Sequence, residues 1–174
     1  MNRSIGLLAA IGIITALIMG CASSTGVRIG VYDSRAIAIA HGNSNEGREF
    51  IMSLMSEMSK AKADKNDSLM QHIEKKAKMY QVLSHLRAFS VGSVADILEK
   101  HKAEVDQVAK EAGVQVVVSK FELIYTGSGV EIIDVTIPLA RIFKPSDQAM
   151  QTISGIQEHE VMLMLDVLMI PPEE

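Results

Sequence analysis

The chain has 174 residues, 48% of them hydrophobic and 22% charged, which is enough for one domain of ordinary size with its own core. A formal net charge of −4 argues against a nucleic-acid binder, which carries a basic face or excess. Aromatic side chains make up 4% with no Trp, arguing against stacking platforms and sugar-binding shelves, whereas Met is abundant at 11.

The first 24 residues read as an export signal with the region around its cleavage site. Met1-Asn2-Arg3 carries one positive charge, Ser4 to Met19 is apolar and uncharged, and Gly20-Cys21 is followed by Ala22-Ser23-Ser24. A charged start, a short apolar core and a small residue before the cut predict a cleaved signal peptide over residues 1–20. An uncleaved membrane helix is the rival. Its apolar run of about 16 residues falls short of the roughly 20 needed to span a bilayer, and no basic cluster follows it. Ile18-Met19-Gly20-Cys21 resembles the lipobox of bacterial lipoproteins, which implies that Cys21 is diacylated and that residues 21–26 are a lipidated tether. A plain signal peptide is the alternative. Cys21 is the sole cysteine, so its acylation leaves no thiol for a disulfide, for catalysis or for a metal. No Asp lies near the anchor, and in a two-membrane bacterium the resemblance then implies a periplasm-facing protein of the outer membrane.

Val27 to Tyr32 reads as a buried strand, and Ala36 to Ala40 continues the alternation with Ile37 and Ile39. Between them Asp33-Ser34-Arg35 reads as a strand-end turn or helix cap, since one Asp beside one Ser is too little for a nucleophile with its base. From Glu46 the period becomes helical. Phe50, Leu54 and Met58 form one row at i+4, with Ile51 and Met55 beside them. This Met-containing face is the candidate surface for binding varied partners. The competing assignment is ordinary core against a helix over Val94 to Ala112.

A polar stretch, Ser59 to Ser68, with a turn signal at Lys65-Asn66-Asp67, precedes a second stripe at Leu69, Ile73, Ala77, Tyr80 and Leu83. The two stripes are either one long helix with a solvated middle or two helices meeting at a polar tip. Ser93, followed by Asp96, predicts the start of the next helix, and Gly113 its left-handed end. Within it Val94, Leu98, His101, Val105, Val108 and Ala112 keep coiled-coil spacing. His101 reads as a seam-edge residue satisfied by a neighbour, because no second His stands at i+3 or i+4 to share a metal. Glu158-His159-Glu160, the densest cluster of donors, reads equally well as a polar surface turn.

Val114 to Val118 predicts a central strand and Phe121 to Tyr125 a second. Thr126-Gly127-Ser128-Gly129 is a loop without a phosphate-binding signature. Asp134-Val135-Thr136 caps a short helix with Pro138 near its first turn, and Lys144-Pro145 ends it. The tail holds a helix through Ile156, then an apolar run from Val161 to Ile170 that is too short to span a membrane. Charge is segregated along the chain. Between Lys60 and Arg87 there are seven Lys/Arg against three Asp/Glu, while after Lys144 there are six acids and no Lys or Arg.

A strand soon after the leader, long charged helices returning to Val116-Val117-Val118-Ser119, then Tyr125, a small-residue loop and Asp134-Val135-Thr136 together resemble the Skp/OmpH-type periplasmic chaperones. The likeness runs from Val27 to Phe143 and is sharpest over Val114 to Thr136. It implies an α+β fold in which a small strand-rich body carries a helical hairpin or arm, with three subunits caging unfolded outer-membrane proteins. The implied domain covers 27–145, with the arm over about 46–112, and 146–174 is a helical extension. Gly92 divides the helical region unevenly, so a symmetric long tentacle is not what the caps suggest.

No G-x-S-x-G, H-E-x-x-H or C-x-x-C pattern occurs. The sequence therefore reads as a non-enzymatic envelope lipoprotein without cofactor or metal, chaperone- or scaffold-like, in a homo-oligomer that the resemblance makes a trimer. Its candidate client face is Phe50, Ile51, Leu54, Met55 and Met58. The alternatives are a self-assembling structural subunit and an enzyme using Asp33, Arg35 and Ser119 near strand ends.

Overall fold

The computed structural model describes residues 26–171. The leader, Cys21 and the tether up to residue 25 lie outside the described residues. The fold mixes helices with one small sheet. Strands β1 (Arg28–Tyr32), β2 (Val116–Ser119) and β3 (Glu131–Asp134) form a parallel sheet in the order β2-β1-β3. Val31 lies between Val118 on one side and Asp134 on the other. Parallel pairing demands long crossovers. The first carries all the helices up to Gly113; the second is the helix-free stretch from Lys120 to Val130.

Three expectations about strands change: the stretch Val114 to Val118, expected as a central strand, is the outer strand β2 (Val116–Ser119), and β1 is the central one. Phe121 to Tyr125 is not a strand: Ile124 is 97% exposed, and the strand pairing with β1 is the later Glu131–Asp134. Ala36 to Ala40 is helical and belongs to α1 (Ser34–Gly42), where Ala36, Ile37 and Ala40 are fully buried at i, i+1 and i+4. Three buried small or branched residues on one helical face fit tightly among α1's neighbouring helices, whereas alternation by two would have sent Ile37 and Ala40 to opposite sides.

Helices α2 (Asn45–Ala63) and α3 (Asp67–Phe89) pack as an antiparallel hairpin that turns at Lys65, whose φ is 49°. The polar stretch is thus the tip between two helices. Ser44 and Asn66 cap their N-termini with side-chain oxygens, each saturating an amide the helix cannot. At 23 residues α3 is about 34 Å long. Its far half meets α2 around a small core of Leu54, Ala61 and Ile73, with Phe50, Met58 and Met70 half-buried around it.

The arm expected over about 46–112 ends at Phe89. Helices α4 (Ala95–Lys100) and α5 (Lys102–Ala112) belong to the body, where Val94, Ile97, Leu98 and Val108 join the core beneath the sheet. The heptad seam therefore faces the chain's own body, and it is not one helix. It breaks at His101, whose ring accepts or donates to Glu46 at 3.0 Å and lies edge-on against Phe143. Gly113 ends α5 with φ 65°, a conformation that favours glycine.

Helix α6 (Thr136–Arg141) begins where Asp134 accepts from the Thr136 amide. Leu139 and Ala140 are fully buried, as is Ile153 of α7 (Asp147–Gly155). Leu139 and Ile153 each contribute roughly 1.5–3 kcal/mol by burial. A 3-10 turn (Ile156–Glu158) leads into a strap over residues 159–170 containing the short α8 (Met164–Leu168). Met162 exchanges backbone and side-chain hydrogen bonds with Phe89 and Ser90, which ties the strap to the base of the hairpin. Val167 packs inward at 3% exposure. Among the described residues no helix is long and apolar enough to cross a membrane.

Candidate functional site

Two places gather the residues singled out in the sequence. The first is the carboxyl end of the sheet, where β1 passes into α1. Asp33 caps α1 by accepting from the Arg35 amide, as a strand-end cap should. Its carboxylate also takes a forked pair of bonds from the Arg35 guanidinium, at 3.1 Å and 2.7 Å, and a contact from Lys120 Nζ at 2.7 Å. Both Asp33 and Arg35 are buried, at 0% and 1% exposure.

The remaining Arg35 donors go to the carbonyl oxygens of Ile156, His159 and Glu160 at the start of the strap. Five bonds match the five N–H groups of a guanidinium. Burial pushes the Asp33 carboxyl up, but hydrogen bonds from Arg35 and Lys120 outweigh it and hold the group below its ordinary value. Beneath it, burial and the nearby Glu122 carboxylate raise the Tyr32 phenol to about 12.

Ser119 does not join this pair. Its hydroxyl accepts from the Phe121 amide, closing a turn after β2. A cavity of about 510 Å³ does reach Arg35, between Phe89, Gln151, Ile156 and His159, yet Asp33 and Ser119 do not line it. Glu158-His159-Glu160 is an exposed turn that uses its backbone oxygens, and among the described residues no three His, Cys, Asp or Glu side chains are placed to hold a metal. Sequence reasoning missed Lys120 and the three strap carbonyls. Lys120 stood directly after a strand end, a position that could have marked it; backbone acceptors leave no mark in a sequence.

The second place is the hairpin. Candidate-face residues divide between its inside and its rim: Leu54 is buried at 5%, Phe50 and Met58 are half-buried, and Ile51 and Met55 stand 40% and 66% exposed. They pack on α3, not on Val94 to Ala112. Phe50 meets Tyr80 with ring centroids 4.5 Å apart, and Lys76 sits 5.6 Å over the Phe50 ring. A groove of about 890 Å³ runs between the two helices, lined by Leu54, Met55, Met58, Ile73 and Tyr80, with Lys62 and Lys78 at its edge. Its lining is chiefly apolar, and the only acid in it is Glu74.

No protein-family model matches the chain, and no curated protein and no solved structure is detectably similar to it.

Proposed function

We propose that this chain is an exported, lipid-anchored envelope protein that binds unfolded or assembling envelope proteins, as a chaperone or scaffold with Skp/OmpH-like architecture. The observation that carries the reading is the hairpin groove: about 890 Å³ of largely apolar surface on an arm beside the body, with flexible Met55 and Met58 and flanking lysines. An apolar groove with basic edges suits an extended or helical segment that is itself apolar and acidic. Leader and Cys21 supply the envelope address and the membrane attachment, and the resemblance supplies a trimer.

The reading is non-enzymatic because Asp33 and Arg35 are occupied with one another and with the strap, leaving neither a free base nor a free guanidinium. A self-assembling structural subunit is the second reading, favoured by Val116 and Ile132 on the two outer strands at 48% and 43% exposure.

The chain from Gly26 onward contains every described element. Added to a urea-denatured outer-membrane barrel protein on dilution, it is expected to delay aggregation, less so as salt rises. Behaviour indistinguishable from an inert protein removes the binding reading. Labelled fatty acid is expected on the full chain in cells and absent from Cys21→Ala; equal labelling of both removes the anchor.

A further inference from the structure

The strap carries an apolar row that its own chain leaves uncovered. Leu163, Leu165 and Met169 are 72%, 74% and 81% exposed, and Met164 and Leu168 are each 51% exposed. This row is held in place and is not a loose tail. Arg35 grips the carbonyls at its start, Phe89 and Ser90 bond Met162, and Val167 anchors α8 on α3. A fixed, outward-facing row of five large apolar side chains marks an interaction surface.

The hairpin groove is its counterpart. It is apolar, its edge carries Lys62 and Lys78, and the surrounding arm is basic. Residues 161–170 of the strap carry no Lys or Arg and a single acid, Asp166, in the middle of the apolar row. Within one chain α8 sits at the body end of α3 with Val167 turned toward that helix, so the exposed row cannot enter the groove beside it. A second copy can supply it.

We infer that residues 161–170 of one copy dock in the hairpin groove of a second copy, Leu165 and Met169 against Met55 and Ile51, with Asp166 toward Lys62 and Lys78. The inference rests on reading the groove as a surface for acidic apolar segments, and it names the chain's own strap as the resident occupant. A client then enters by displacing the strap. The contact joins two different patches, so it gives a reciprocal pair or a ring where the rotation between copies closes and an open chain of copies where it does not.

The test uses the chain from Gly26, which has no cysteine because Cys21 is the sole one. Met55→Cys and Leu165→Cys both change exposed side chains and are expected to leave the fold intact. Mixed and oxidised, the two variants are expected to give a disulfide between copies in at least tenfold excess over a mixture of Leu165→Cys with Glu57→Cys, a position elsewhere on α2. Leu165→Asp is expected to lower the solution mass to that of a monomer. Lys62→Glu with Lys78→Glu weakens the crosslink, and Asp166→Lys restores it. Crosslinking equal to the Glu57 control, or a wild-type monomer at micromolar concentration, overturns the inference. If aggregation is still suppressed in that case, the groove binds clients and only the resident occupant is wrong. If the crosslink forms while no variant suppresses aggregation, self-docking stands and the client reading falls.

Discussion

The carboxyl end of the sheet and the groove of the hairpin treat their side chains in opposite ways. At the sheet, a buried Arg35 has an acceptor for every donor, supplied by Asp33 at the strand end and by the carbonyls of Ile156, His159 and Glu160, while Lys120 pairs with the same Asp33 carboxylate. At the hairpin, Met55 is left 66% exposed beside a core of three buried residues. A saturated charged cluster gives rigidity and no binding capacity, since a new ligand must first displace an existing bond. An apolar groove with little core behind it has the reverse character: cheap to open and free to accept another surface. Chemistry-bearing residue types thus mark the structural site, and plain hydrophobic ones the candidate for function.

The largest expected effect attacks the rigid side. Arg35→Ala leaves the Asp33 carboxylate buried with only Lys120 and the residue-35 amide, and strips the carbonyls of Ile156, His159 and Glu160 of their donor, so stability should fall by about 3–5 kcal/mol in urea unfolding. A loss below about 1 kcal/mol would mean that the cluster is decorative. Acid should act in the same direction. Asp33 lies below its ordinary value in the folded chain, so the unfolded chain binds its proton first as pH falls, and the cluster's contribution is lost as pH drops through the folded value. Asp33→Asn should remove that acid limb.

Next comes the hairpin's own core. Ile73→Ala is expected to cost about 2–4 kcal/mol locally. Hydrogen exchange should show faster opening of amides across α2 and the far half of α3, with β1 and α1 protected as before. Equal loss of protection in both regions would show that arm and body unfold as one unit, and the comparison would lose its basis.

A smaller effect lies at the joint between them. His41 and His101 both face Glu46, with Lys100 and Arg87 nearby. Burial, aided by those cations and only partly offset by Glu46, holds His41 below its ordinary 6.5. The unfolded chain then takes up the proton that the folded chain resists, so stability should decline as pH falls below about 6.5. His41→Gln should flatten this limb in thermal unfolding between pH 7 and 5.

Much of the body was legible because its signals are local. Asp33 after a strand, Gly113 after an apolar helix and Asp134 two residues before α6 each act on amides within a few residues. What failed depends on distance along the chain. Phe121 to Tyr125 has strong strand propensity, yet β1's free side is taken by Glu131–Asp134, a choice made by pairing across 103 residues. The seam through His101 kept its spacing on paper, but the helix breaks there, where Glu46 takes the imidazole and Phe143 packs against it. As for the candidate groove, its five residues were visible as one stripe; which of them turn inward depended on whether α2 met α3 or α5, and both helices offer apolar rows.

The most direct test combines Met55→Ser with Met58→Ser. Met55 is exposed and Met58 half-buried, so the account predicts a stability loss of about 1 kcal/mol or less, together with a clear loss of aggregation suppression toward a denatured outer-membrane barrel protein. A large fall in thermal stability, or suppression equal to the wild type, would make the face ordinary core and contradict the account.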